Sequence, residues 1–172
     1  MRRFLIPTVL ILFCALSAMA DEDTELRNFL SLLSAARIGD DYDAVKKLVP
    51  DVGTLAQVTV KEDNTHALIN TKAGKIALRG EFNFSKGHLV SHGFRSGELT
   101  HSDAHAFLLR CITILEHLYG PSERHIDLPT ESDGPKDSIG LRFNWHKNKT
   151  VFGLDFHYRQ GFATVSWGAQ AE

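Results

Sequence analysis

Cysteine is scarce in this 172-residue chain, which has two. Cys14 lies in an apolar N-terminal stretch that reads as a leader. That leaves Cys111 alone, so no internal disulfide can form and the stapled frameworks of small secreted domains are excluded. Basic residues are few and scattered: 19 Lys and Arg stand against 21 Asp and Glu, with no basic run, so neither nucleic acid nor an anionic membrane surface is an expected partner. Past residue 20 no apolar run approaches the ~20 residues a spanning helix needs, and no membrane insertion is expected there. Also missing are the G-x-S-x-G elbow, H-E-x-x-H, C-x-x-C and the P-loop, so the common motif-bearing hydrolases and transferases gain no support.

What is present begins with MRRFLIPTVLILFCALSAMA. Arg2 and Arg3 form a basic start, Phe4 to Leu16 an apolar core, and Ala18-Met19-Ala20 an A-x-A cleavage signal, together the pattern of a secretory signal peptide over residues 1–20. Bulky Phe13 before Cys14 argues against lipid attachment. The expected mature chain, residues 21–172, is long enough to bury a real core as a single α+β domain. An exported chain with one cysteine fits a bacterial periplasm better than an animal extracellular fluid.

Thr24 to Arg37 places Leu26, Phe29, Leu30, Leu33 and Ala36 on one helical stripe, followed by Gly39 as a stop. Asp40, Asp41 and Asp43 then introduce a short helix that Pro50 ends. Alternating runs at 55–61, 66–71, 75–84 and 88–95, separated by turn residues, predict a four-stranded meander. A long helix starts near His101 with Thr100 or Ser102 as its cap and ends at Gly120-Pro121. After a loop at 121–137 with one short strand at most, runs at 138–146, 150–158 and 162–167 predict further hairpins. Pairing Trp145 with Phe152 and Tyr158 with Ala163 puts Ile139, Leu141, Phe143, Trp145, Phe152, Leu154, Phe156, Tyr158, Val165 and Trp167 on one face. The expected fold is α+β, an antiparallel sheet with helices packed on one face.

The halves 21–97 and 98–172 echo each other, since Phe82–Gly87 and Phe156–Gly161 share the form F-x-[FY]-x-[KQ]-G. A tandem helix-plus-meander pseudo-repeat accounts for this. In segments 24–49 with 55–95, and again 102–119 with 138–167, the architecture resembles the β-lactamase-inhibitory protein and the small lipoprotein of the outer-membrane β-barrel assembly machinery. The resemblance implies protein binding. The second half lacks a clear second helix, and the cysteines of the inhibitor family are missing.

Helices on one sheet face leave the other open. That face is expected to carry Arg79, Glu81, His88, Val90, His92 and Phe94 from the first meander, and Arg142, Asn144, His146, Asp155, His157, Phe162 and Thr164 from the second. Aromatic residues near arginine are the usual anchors of a protein interface, which nominates Arg79, Phe94, Arg142 and Phe162 as binding residues. His101 and His105, spaced i,i+4, offer an alternative: joined by His88 and His92 they would make a zinc site. The expected strand register points the two pairs to opposite sides of the sheet, and a helix start explains His101 and His105 without metal. Cys111 falls on the apolar face of its helix, the setting of a buried structural thiol. The expected function is a secreted or periplasmic non-enzymatic protein-binding module with no cofactor. A histidine-based metal-binding protein is the alternative, and an unrecognised enzyme comes third.

Overall fold

The computed structural model describes residues 23–49, 56–61, 63–127, 139–147, 149–159 and 161–171; the expected leader, residues 1–20, lies outside them. In chain order the elements are α1 (residues 23–35), α2 (Tyr42–Leu48), β1 (Ala56–Lys61), β2 (Asn64–Ala73), β3 (Ile76–Ser85), β4 (His88–Ser96), α3 (His101–Tyr119), β5 (Glu123–Asp127), β6 (Ile139–Lys147), β7 (Thr150–Arg159) and β8 (Phe162–Ala171). Local chemistry sets their ends. The Asp41 carboxylate accepts the Ala44 N–H at 2.7 Å and caps α2. Thr100 Oγ1 accepts the Asp103 N–H at 3.2 Å and donates to the Asp103 carboxylate at 2.7 Å, so the histidine-containing stretch at 101–105 is a capped helix start. At Lys86-Gly87 both residues have positive φ, 52° and 81°, the geometry of a two-residue turn between twisted strands.

The eight strands form one antiparallel sheet in the order β1-β2-β3-β4-β8-β7-β6-β5. Two four-stranded meanders thus meet along β4 and β8, their last strands, giving the α+β class with an antiparallel sheet. The expected pairs Trp145 with Phe152 and Tyr158 with Ala163 are present. Phe82 and Phe84 of β3 have Phe156 and Tyr158 of β7 as topological counterparts, so the sequence echo falls on equivalent hairpins. The one short strand allowed after α3 is Glu123–Asp127, which forms the edge strand β5 against β6.

All three helices lie on one side. Leu26, Phe29, Leu30 and Leu33 of α1, with Ala104, Phe107, Leu108, Cys111 and Leu115 of α3, are buried against Phe82, Phe84, Leu154, Phe156, Val165 and Trp167 of the sheet. Among the described residues no helix is long and apolar enough to cross a membrane.

One strand departs from its expected facing. Phe84 pairs with Leu89, but Asn83 pairs with Ser91, so Val90 is an extra residue in β4. A bulge of this kind reverses the side-chain alternation beyond it. Leu89 faces the helices as expected. Past the bulge His92, Phe94 and Ser96 face them too, 4%, 3% and 3% exposed. Phe94 is therefore a core residue, edge-on to Phe29 of α1 at 5.8 Å and to Phe107 of α3 at 6.3 Å, and cannot be an interface anchor. The bulge sits where β4 changes partner. Before it, Leu89 exchanges hydrogen bonds with the α1–α2 connection, its N–H donating to Asp40 O at 2.7 Å and its carbonyl accepting from Gly39 N at 2.8 Å. After it, Ser91 to Arg95 pair with β8.

The β8 pairing brings Gly93 opposite Gly168. A Cβ on Gly93 would overlap the Trp167 carbonyl and lie 2.8 Å from Gly168 Cα, whereas a Cβ on Gly168 would meet its nearest atom, His92 O, at 3.6 Å. Gly93→Ala should therefore lower unfolding stability by about 2 kcal/mol or more, and Gly168→Ala by less than about 1 kcal/mol. Urea titrations of the two variants check this; equal effects would contradict the seam geometry.

Candidate functional site

Cross-strand register orders the uncovered face into rows. One runs Arg142, Asp155, Ser166, Arg95, Arg79, Asn70 across β6, β7, β8, β4, β3 and β2. The adjacent row runs Asn144, Gly153, Gly168, Gly93, Glu81. The next holds Val151, Gln170, Ser91 and Asn83. Three consecutive strands thus present glycine to the same row, and bare backbone floors a trough between two walls of polar side chains. The trough encloses about 620 Å³ and is lined by these residues apart from Arg79 and Asn70, which continue the first row beyond it.

Its electrostatics are uneven. Arg142 Nε donates to Asp155 Oδ1 at 2.6 Å, and Arg79 Nε lies 3.3 Å from Glu81 Oε1. Both pairs are partly exposed, where such contacts contribute about 1 kcal/mol or less. Arg95 is exposed between them and makes no ion pair with a carboxylate among the described residues. Asn83 Nδ2 donates to Ser91 Oγ at 3.0 Å, holding the opposite wall.

Of the four nominated binding residues, Arg79 and Arg142 lie on this face, and Phe162 is 56% exposed at the β7–β8 turn. Phe94 is on the other side. Arg95 and the glycine row are the residues that sequence reasoning missed. The pairings at Trp145 and Tyr158 already imply Gly153 opposite Gly168, so two of the three glycines of the row were accessible. Gly93 and Arg95 depend on the bulge and on a pairing between strands distant in sequence.

The histidines do not converge. His101 packs edge-on to Phe156 and Tyr158, at 6.2 and 5.3 Å, and with His105 borders an apolar hollow of about 460 Å³. His88 is exposed, with Nδ1 3.1 Å from Gly39 O, while His92 is buried, so these two do not share a strand face. Among the described residues no three His, Cys, Asp or Glu side chains gather as a metal site would require. Cys111 is buried, and burial pushes its thiol well above the usual range, the opposite of an activated nucleophile.

Comparison with models of known families, with characterised proteins and with solved structures finds no match to this chain.

His92 is the histidine buried on the core side of β4. Burial lowers its pKa to about 4, against weaker upward pulls from a backbone hydrogen bond at Ala36 and the Asp40 charge. It lies stacked near Phe82 at 6.1 Å and beside Trp167 at 5.5 Å. The unfolded chain takes up a proton here near pH 6.5, which the folded chain refuses until about pH 4. The contribution to stability is therefore full above pH 6.5 and is lost as pH falls through that window, by about 3 kcal/mol. A His92→Phe variant should lose correspondingly less stability than the wild type between pH 7 and pH 4, measured by urea unfolding. Parallel losses would contradict the neutral, buried assignment.

Proposed function

We propose that this chain is an exported, non-enzymatic protein-binding module that works through the uncovered sheet face. The observation that carries the reading is the glycine-floored trough, because bare backbone between polar walls admits a projecting loop or strand of another protein closer to the sheet than ordinary side chains allow. Arg95, without a carboxylate of its own among the described residues, supplies a charge for an acidic group of that partner. Arg79, Arg142 and Phe162 border the same surface. Polar rims with arginine and isolated aromatic groups are characteristic of interfaces that assemble from folded partners.

The tandem helix-plus-meander architecture and the expected leader at 1–20 support a reading as an inhibitor, immunity protein or envelope-assembly accessory factor of the bacterial periplasm. A buried, unactivated Cys111 supports a non-catalytic role.

The test fills the trough without disturbing the core. A Cβ on Gly153 would meet only Asn144 Oδ1, at 3.5 Å, so Gly153→Val should fold normally. Gly153→Val and Arg95→Glu should each weaken capture of the protein that co-purifies from the native envelope by about 2 kcal/mol or more, with an unchanged thermal midpoint. Capture at wild-type strength by both folded variants would remove the open face from the account.

A further inference from the structure

The helix-covered side of the sheet contains a second cavity, about 490 Å³, between the end of α1, the end of α3 and the turn joining β6 to β7. Its volume lies within the ~300–1,000 Å³ of small-molecule sites. Phe152, Tyr119 and His92 line it together with Ser34, Arg37 and Lys147.

Three observations distinguish it from a packing defect. First, it has an aromatic wall: the Tyr119 and Phe152 rings stack at 4.5 Å with 27° between their planes. Second, polar atoms are left over. His92 is 4% exposed, yet its Nδ1 has no hydrogen-bond partner, and the buried Tyr119 hydroxyl has only the Ser34 side chain beside it. An unsatisfied buried polar atom costs about 1–3 kcal/mol, so a group that meets it is held selectively. Third, two cations stand at the same cavity. The Lys147 ammonium lies 5.6 Å from the Tyr119 ring centroid, and neither it nor the exposed Arg37 side chain makes an ion pair among the described residues. The Asp40 carboxylate is engaged by the Arg37 backbone N–H at 2.8 Å.

We propose that this cavity binds a small organic anion with a planar apolar body. The ring system packs against Tyr119 and Phe152, a polar edge meets His92, and the anionic group faces Arg37 and Lys147. A neutral imidazole suits this arrangement, since with its other ring nitrogen donating to the Ala36 backbone, His92 Nδ1 can accept from a donor at the ligand's edge without adding a buried charge. The site is on the other side of the sheet from the trough and stands independently of a protein partner there.

Two fluorescent probes test it: anilinonaphthalene sulfonate and N-phenylnaphthylamine, which share a ring system but differ in the sulfonate. The purified folded chain should bind one sulfonate molecule saturably. Lys147→Ala should weaken the sulfonate about fivefold and the neutral amine by less than about twofold. Ser34→Phe and Thr150→Trp, which place bulk in the cavity, should abolish binding of both probes while the near-ultraviolet circular dichroism stays native; if one variant does not fold, the other decides. The proposal is overturned by no saturable binding to the native chain, by binding that survives a folded cavity-filling variant, or by equal loss of both probes in Lys147→Ala.

Discussion

The structure depends on the junction between β4 and β8, because neither meander alone offers both long helices a surface to bury against. Phe94 and Trp167 pair across that junction, and they occupy counterpart positions, opposite Gly80 and Leu154 in equivalent hairpins. Phe29 of α1 and Phe107 of α3 both close on Phe94. One aromatic group therefore joins the two helices to the middle of the sheet, and removing a core phenylalanine typically costs about 3–5 kcal/mol. The junction continues past β4: Ser96 Oγ accepts the Val165 N–H at 2.9 Å, and Leu99 and Ala163 exchange backbone hydrogen bonds, both at 2.9 Å.

The same junction shapes the uncovered face. Val90, the extra residue in β4, turns Phe94 inward and thereby turns Gly93 and Arg95 outward. Gly93 must remain glycine because the Trp167 backbone approaches too closely for a Cβ. Gly168 and Gly153 have room for one and present only hydrogen instead. A steric requirement on one strand and open space on the next two together produce the trough, so the core on one side and the surface on the other share a single cause.

Most of the architecture was legible in local patterns. Helical stripes, the acidic start at Asp40, Asp41 and Asp43, a cap at Thr100 or Ser102, strict alternation in β6 and β7, and two-residue turns set the elements and the pairings within each meander, since each of these is a short-range constraint. The facing of β4 was not legible. Its apolar and polar residues fit either side when Val90 is counted as an ordinary strand residue, and only the change of partner from the α1–α2 connection to β8 requires the bulge. The candidate site inherited that error: Arg79, Arg142 and Phe162 were placed correctly from local register, while Phe94 was assigned to the surface in place of Arg95. Edge strand β5 was also indistinct in sequence, because Glu123–Asp127 is short and charged.

The central claim is that the uncovered face, rather than the helices, is the working surface. Site-specific photocrosslinking decides between them most directly. A benzophenone side chain at Ser166, in the wall of the trough, is compared in the native envelope with one at Leu109, 51% exposed on α3. The account predicts a discrete protein adduct from position 166 and none from position 109; an adduct from position 109 alone would contradict it.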